Sequence, residues 1–249
     1  MKVYGLSDKG KIRPDNQDAF AFRSLDGDVL AVVCDGMGGA AAGLLASNIA
    51  CVSFISFMET AMLASGGKSI AENLRAAADL ANLKVYERAS KDESCNGMGT
   101  TLVAIYLNHD GAILLNVGDS QAYRVSGGNL IKLTHDHSVV QEMLDRGQIT
   151  REQAKLHPRK NVITRAIGGE SAVRSDVFES DVKEGDIFLL CSDGLTNALD
   201  DETLLNCCVE SYEPEDICQA LINAALENGA RDNVTVVAVT IENGGADIG

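Results

Sequence analysis

The sequence predicts an α+β fold, and three features of it carry that expectation. Several short apolar runs have strand length, many joined by hairpin-sized turns. Two long stretches, Gly43 to Met62 and Ile70 to about Lys91, read as helices. Finally, aspartates stand at the ends of the most apolar runs. Asp35, Asp119 and Asp193 follow Val29 to Cys34, Ala112 to Val117 and Ile187 to Cys191; Asp232 precedes Val234 to Ile241. If the last run lies antiparallel to its neighbours, all four carboxylates gather at one end of a sheet.

Two carboxylates about 4 Å apart repel by roughly 4 kcal/mol at an effective dielectric near 20. Protonation or bound cations must relieve that cost. Oxygen ligands suit hard divalent ions such as Mg²⁺ or Mn²⁺. Any single Asp-Gly is better read as a turn. Four aspartates at the ends of apolar strands favour metal.

Length and composition narrow the class. A chain of 249 residues, 45% hydrophobic, buries a large core as a single domain, 1–249. Its net charge of −15 argues against nucleic acid or an anionic membrane as partner. The seven cysteines form no Cys-x-x-Cys pair, and Cys34, Cys191 and Cys207-Cys208 read as small core residues, which argues against zinc and for a reducing compartment. Gly36 to Met58 carries no charge, but its serines, Asn48 and glycine-rich start favour a buried core helix over a membrane span. Met1 to Gly10 lacks a signal-peptide layout, so a cytoplasmic location is expected.

In chain order, Val3 to Leu6 is a strand ending in the turn Ser7-Asp8-Lys9-Gly10, and Arg13 to Asp18 is a polar loop before the strand Ala19 to Arg23. An arginine beside a carboxylate site can grip a phosphate bidentately. Asp26-Gly27-Asp28 reads as a hairpin turn. Gly66-Gly67-Lys68-Ser69 imitates the end of a P-loop without the preceding strand, and Ser69 with Glu72 reads instead as a capping box. Leu74, Ala77, Ala78, Ala81 and Val85 form that helix's core stripe. Leu102 to Leu107 and Ala112 to Val117 flank the turn Asn108 to Gly111, whose His109 is a solvated turn residue; Gln121 to Val125 pairs with Asn129 to Leu133 through Gly127-Gly128.

Residues 134–169 change character and read as a flap. One short helix there opens at Ser138 with Gln141, another at Thr150 with Gln153, stopped by Pro158. His135, His137 and His157 lack metal-ligand spacing. Val177 to Val182 and Ile187 to Cys191 are strands. Asp200 starts a short helix, Pro214 stands in the first turn of a helix ending by Gly229, and Val234 to Ile241 is the last strand before a polar tail.

Taken together, the motifs resemble the metal-dependent protein phosphatases of the PPM family, the type 2C serine/threonine phosphatases, in their short bacterial form. The resemblance rests on Arg13, Asn16-Gln17-Asp18-Ala19, Asp35-Gly36-Met37-Gly38-Gly39, Gly99-Thr100-Thr101 and Gly118-Asp119-Ser120. It continues through Leu133-Thr134, Asp136-His137-Ser138, Thr164-Arg165-Ala166-Ile167-Gly168, Ser192-Asp193-Gly194-Leu195 and Asp232-Asn233-Val234-Thr235.

The resemblance implies two packed antiparallel sheets with helices outside, an α-β-β-α sandwich, and a metal centre at one edge. It also implies that Asp35 bridges two Mn²⁺ or Mg²⁺ ions. The Gly36 carbonyl helps hold one ion, Asp193 and Asp232 hold the other, and Asp119 with Asp193 matches a weaker third site. Asp18 orients metal-bound water from behind these ligands, Asn233 supports them, and Arg13 binds the substrate phosphate. A metal-bridging hydroxide then hydrolyses phosphoserine or phosphothreonine without a phosphoenzyme. The implied partners are phosphoproteins, substrates of a bacterial eukaryotic-like Ser/Thr kinase, and a monomer is expected.

Met37 and Ala40 stand where relatives carry histidine, which leaves a metal-bound water near Asp119, and after it His157, as proton donor. Gln17 replaces a common glutamate. Two other readings stay open on sequence: a same-fold hydrolase of another phosphate ester, and an inactive homologue acting as a binding module.

Overall fold

A computed structural model describes residues 1–25, 27–64 and 69–242. The turn at Asp26, the Gly66–Lys68 stretch and the tail 243–249 lie outside the described residues, as do the side chains of Leu25 and Ala40.

Continuous apolar strands need cover on both faces, and two stacked antiparallel sheets supply it. One sheet runs β1 (Lys2–Asp8), β11 (Val234–Thr240), β10 (Ile187–Cys191), β7 (Gln121–Ser126), β8 (Asn129–Lys132). The other runs β2 (Asp18–Leu25), β3 (Asp28–Met37), β5 (Leu102–Leu107), β6 (Ala112–Val117), β9 (Asp176–Ser180), with β4 (Gly99–Thr100) extending it beside β3.

The pleat sorts β3 into two faces. Val29, Ala31 and Val33 meet Phe188, Leu190, Val237 and Val239 between the sheets. Leu30, Val32 and Cys34 face α1 (Ala40–Leu63) and α2 (Ile70–Lys91). On the far side α5 (Asp193–Ala198), α6 (Asp201–Val209) and α7 (Pro214–Glu227) cover Leu189, Cys191, Val236 and Ala238. The expected sandwich is therefore observed.

Helix α1 is long and apolar enough to cross a membrane by length and composition. Here it lies on β3, with Ala46, Ala50, Phe54 and Met58 fully buried. The α2 stripe is buried as expected, and the Ser69–Glu72 capping box is complete. Residues 134–169 carry α3 (Val139–Asp145) and α4 (Arg151–Leu156). Thr150 and Gln153 form a full capping box. Ser138 caps only one way, because the Gln141 side chain turns to Asp145 instead.

Two local expectations are revised. Asp35 lies inside β3, because pairing of Gly36 and Met37 with Thr100 and Gly99 carries the strand past it. Asp193 does not end on a turn but opens α5, a six-residue helix whose Asp-Gly start imitates one.

Candidate functional site

The last strand pairs antiparallel to β10, with Cys191 opposite Val236. This brings Asp232 beside Asp193, and the stacking of the sheets brings both to the end where β3 and β6 carry Asp35 and Asp119. All four aspartates line one cleft of about 400 Å³, together with Arg13, Gly36, Met37 and Thr101.

Close approach dictates two glycines here. A Cβ on Gly36 would lie 2.1 Å from the Gly43 carbonyl oxygen at the start of α1, and one on Gly194 would lie 1.9 Å from that of Asn233. Only glycine lets α1 and α5 pack tightly enough to bring these loops together.

Asp18, Asp35, Asp119 and Asp193 hold protons unusually tightly. Burial, then repulsion from Asp18, Asp193, Asp119 and Asp232, holds Asp35 well above the usual carboxylate range. Burial and repulsion from Asp193 and Asp136 push Asp119 up to about 7. Burial pushes Asp18 up to about 6 against two hydroxyl bonds that oppose it. Asp193 is raised by burial and by Asp232.

Asp18, Asp193 and Asp232 are held by their surroundings. Asp18 lies opposite Asp35 in the β2–β3 register. Its Oδ2 accepts from Ser192 Oγ at 2.7 Å and Thr235 Oγ1 at 2.6 Å, while its buried Oδ1 has no protein partner. Ser192 occupies the N-cap of α5, where a serine usually caps; here its hydroxyl serves Asp18 and the Thr235 N–H instead. Asn197 donates to Asp193 Oδ2 at 3.0 Å, and Lys160 reaches Asn197 from α4's side of the cleft at 3.4 Å. Arg13 Nη2 donates to Asp232 Oδ2 at 2.7 Å.

Asn233 clamps the loop that carries Arg13. Its Oδ1 accepts from the Gln17 N–H, and its Nδ2 donates to the carbonyls of Lys9 and Asp15, each at 2.9 Å or less. Gln17 in turn donates to the Gly39 carbonyl at 3.0 Å.

Sequence reasoning named Thr100, Thr101 and Ser120 only as parts of motifs. In the fold they fix the Asp35 backbone. The Asp35 N–H donates to Thr101 Oγ1, Thr100 Oγ1 donates to the Asp35 carbonyl, and Thr101 shares a hydroxyl bond with Ser120. His137 was likewise unassigned. Its Nδ1 accepts from the Gly118 N–H, so Nε2 carries the proton and donates to Asp176 at 3.0 Å. Burial, then the nearby Arg165, lowers its affinity for a second proton despite Asp176. Arg165 binds the other Asp176 oxygen at 2.9 Å. His157 accepts from the Arg159 N–H and does not line the cleft. His109 is an exposed turn residue, as expected.

Oxygen-rich, proton-hungry and only partly neutralised by Arg13, the donor set fits a hard divalent cation. The buried Asp18 Oδ1, opposite Asp35 in the register and without a protein partner, fits a bound water. Among the described residues no three His, Cys, Asp or Glu side chains already converge as a closed ligand cluster. The fit therefore lies in the chemistry of the lining.

The chain is similar to known proteins. The protein phosphatase 2C family model matches residues 13–230. The serine/threonine phosphatase stp of Listeria welshimeri is 37% identical over 236 residues, 94% of this chain and 93% of its own. The crystal structure of the serine/threonine phosphatase Stp1 from Staphylococcus aureus superposes with a TM-score of 0.88 at 33% identity, covering 97% of this chain and 95% of that one. The catalytic domain of the serine/threonine protein phosphatase PstP, solved in complex with two manganese ions, gives 0.82 at 32% identity over 97% and 98% of the two chains.

Proposed function

Because the chain belongs to the protein phosphatase 2C family and is a serine/threonine protein phosphatase, we propose that its four-aspartate cleft binds divalent cations and hydrolyses phosphoserine and phosphothreonine there. The observation that carries this reading is the set of Asp35, Asp119, Asp193 and Asp232 lining one cleft with Arg13 at its rim.

Asp35, the Gly36 carbonyl, Asp193 and Asp232 would hold two ions, and Asp119 with Asp193 would hold a weaker third. Manganese or magnesium supplies the Lewis acidity that brings the pKa of water from about 15.7 to about 7 and offsets charge on the phosphoryl oxygens.

The chain's own residues do the rest. Arg13 leaves Asp232 to grip the substrate phosphate bidentately, opposing charge that builds on its equatorial oxygens. Asp18, with Oδ2 fixed by two hydroxyls, turns its other oxygen to an attacking water and holds that water's orientation. Met37 offers no proton, and His157 stands off the cleft. Solvent near Asp119 supplies the proton for the leaving serine oxygen.

Residues 134–169 act as a flap over this site. The physiological substrates are cytoplasmic phosphoproteins made by a eukaryotic-like Ser/Thr kinase, and the enzyme works as a monomer. The test is hydrolysis of a phosphothreonine peptide with and without manganese. Turnover that requires the metal supports the reading. Absence of turnover at millimolar manganese on both the peptide and p-nitrophenyl phosphate overturns it in favour of a binding module, and cleavage of p-nitrophenyl phosphate alone overturns it in favour of a hydrolase of another phosphate ester.

A further inference from the structure

Beside the catalytic cleft lies a second cavity of about 560 Å³, within the size range of sites that hold small ligands. Met37 and Ile163 line both, so the two spaces adjoin. Anything bound through a phosphate in the first must send the rest of itself somewhere, and this is an adjoining, built space.

Its wall is fixed before any ligand arrives. Asn82, 1% exposed on α2, accepts from the Gly168 N–H at 2.7 Å and donates to the Glu170 carbonyl at 3.1 Å. Ile167 is fully buried and exchanges both backbone bonds with Thr100. Val173 packs on the helix-side core. Arg165 is committed to Asp176. A rigid wall binds without an ordering cost.

The lining has a definite chemistry. Ala166 and Val173 offer short apolar surface, which suits a small side chain next to the phosphorylated residue. Of the three charged residues there, two are arginines. Arg174 is 82% exposed and comes no nearer than 3.9 Å to Asp176, an oxygen that Arg165 already holds. Its guanidinium is thus the cation best able to meet a new carboxylate, and it stands on a protein whose net charge is −15.

We propose that this cavity receives the substrate segment flanking the phosphoresidue and selects an acidic flank, with Arg174 as the discriminating side chain. The assignment rests on the phosphatase reading above, which supplies the phosphoresidue in the neighbouring cleft.

Three phosphothreonine peptides test it in manganese: one with a glutamate pair before the phosphoresidue, one with the pair after it, and one with lysines at both places. The native enzyme is expected to favour one acidic peptide over the lysine peptide by about tenfold in kcat/KM. Arg174→Glu, a change at an exposed position that leaves the core intact, is expected to erase or invert that ratio. Equal kcat/KM for all three peptides, or a preference that survives in Arg174→Glu, overturns the assignment while leaving the phosphatase reading standing. Failure of the native enzyme on every peptide, with p-nitrophenyl phosphate still cleaved, overturns both.

Discussion

At the scale of the residue, the site is a set of acids held at a cost. Asp18, Asp35, Asp119 and Asp193 all bind protons more tightly in the fold than in the open chain. A carboxylate raised in this way contributes its stability fully below the unfolded value near 3.8 and loses it as pH rises through the folded value. The loss is complete at about 6 for Asp18 and about 7 for Asp119, and Asp35, held well above the usual carboxylate range, loses its share in the same direction. His137 works the other way. Its lowered affinity stabilises the fold above about 6.5 and is lost as pH falls below that. Four acids outweigh one imidazole. The metal-free protein should therefore melt higher at pH 5 than at pH 8, by on the order of 5 °C. Saturating manganese should flatten or reverse the trend. Calorimetric scans of both forms check this; a metal-free protein most stable at pH 8 would contradict the charge accounting.

At the scale of the element, uncharged hydroxyls and amides carry the precision. Thr101 is 2% exposed and ties β3 to the loop after β6 through Asp35 and Ser120. Thr101→Val keeps the shape but strands the Asp35 N–H and the Ser120 hydroxyl, at a cost of roughly 2–3 kcal/mol. Urea unfolding should show that loss, and manganese titration should show weaker binding because Asp35 shifts. Thr101→Ser should recover both. A valine variant as stable and as metal-avid as the native protein would show that the threonine is mere filling.

These same contacts mark where sequence reading stops. Strand runs such as Leu102–Leu107 and Ala112–Val117, and caps such as Ser69–Glu72, are legible because their signals are local. The aspartates are legible because charge at the end of an apolar strand is costly wherever the chain goes. Asn82, Asn233 and Thr101 are not, because an uncharged polar residue in an apolar stretch has no periodicity of its own. Their partners lie 86, 216 and 66 residues away. The same holds for β4, a two-residue strand that exists only because β3 offers Gly36 and Met37 to it. Helix α5 escaped notice because Asp193-Gly194 has the composition of a turn.

On the scale of the whole molecule, the two sheets act as a frame that delivers side chains from the chain's beginning, middle and end to one rim. Helices α1 and α2 cover one outer face and α5 to α7 the other, leaving the rim open and the segment 134–169 beside it. A frame buried on both faces resists the repulsion it imposes on its own acids, and divalent cations turn that repulsion into binding. Anomalous diffraction from crystals grown in manganese tests this most directly. The prediction is strong peaks between Asp35, Asp193 and Asp232, with Arg13 released from Asp232. Crystals that lack any peak there, or that place the metal elsewhere on the acidic surface, would contradict it.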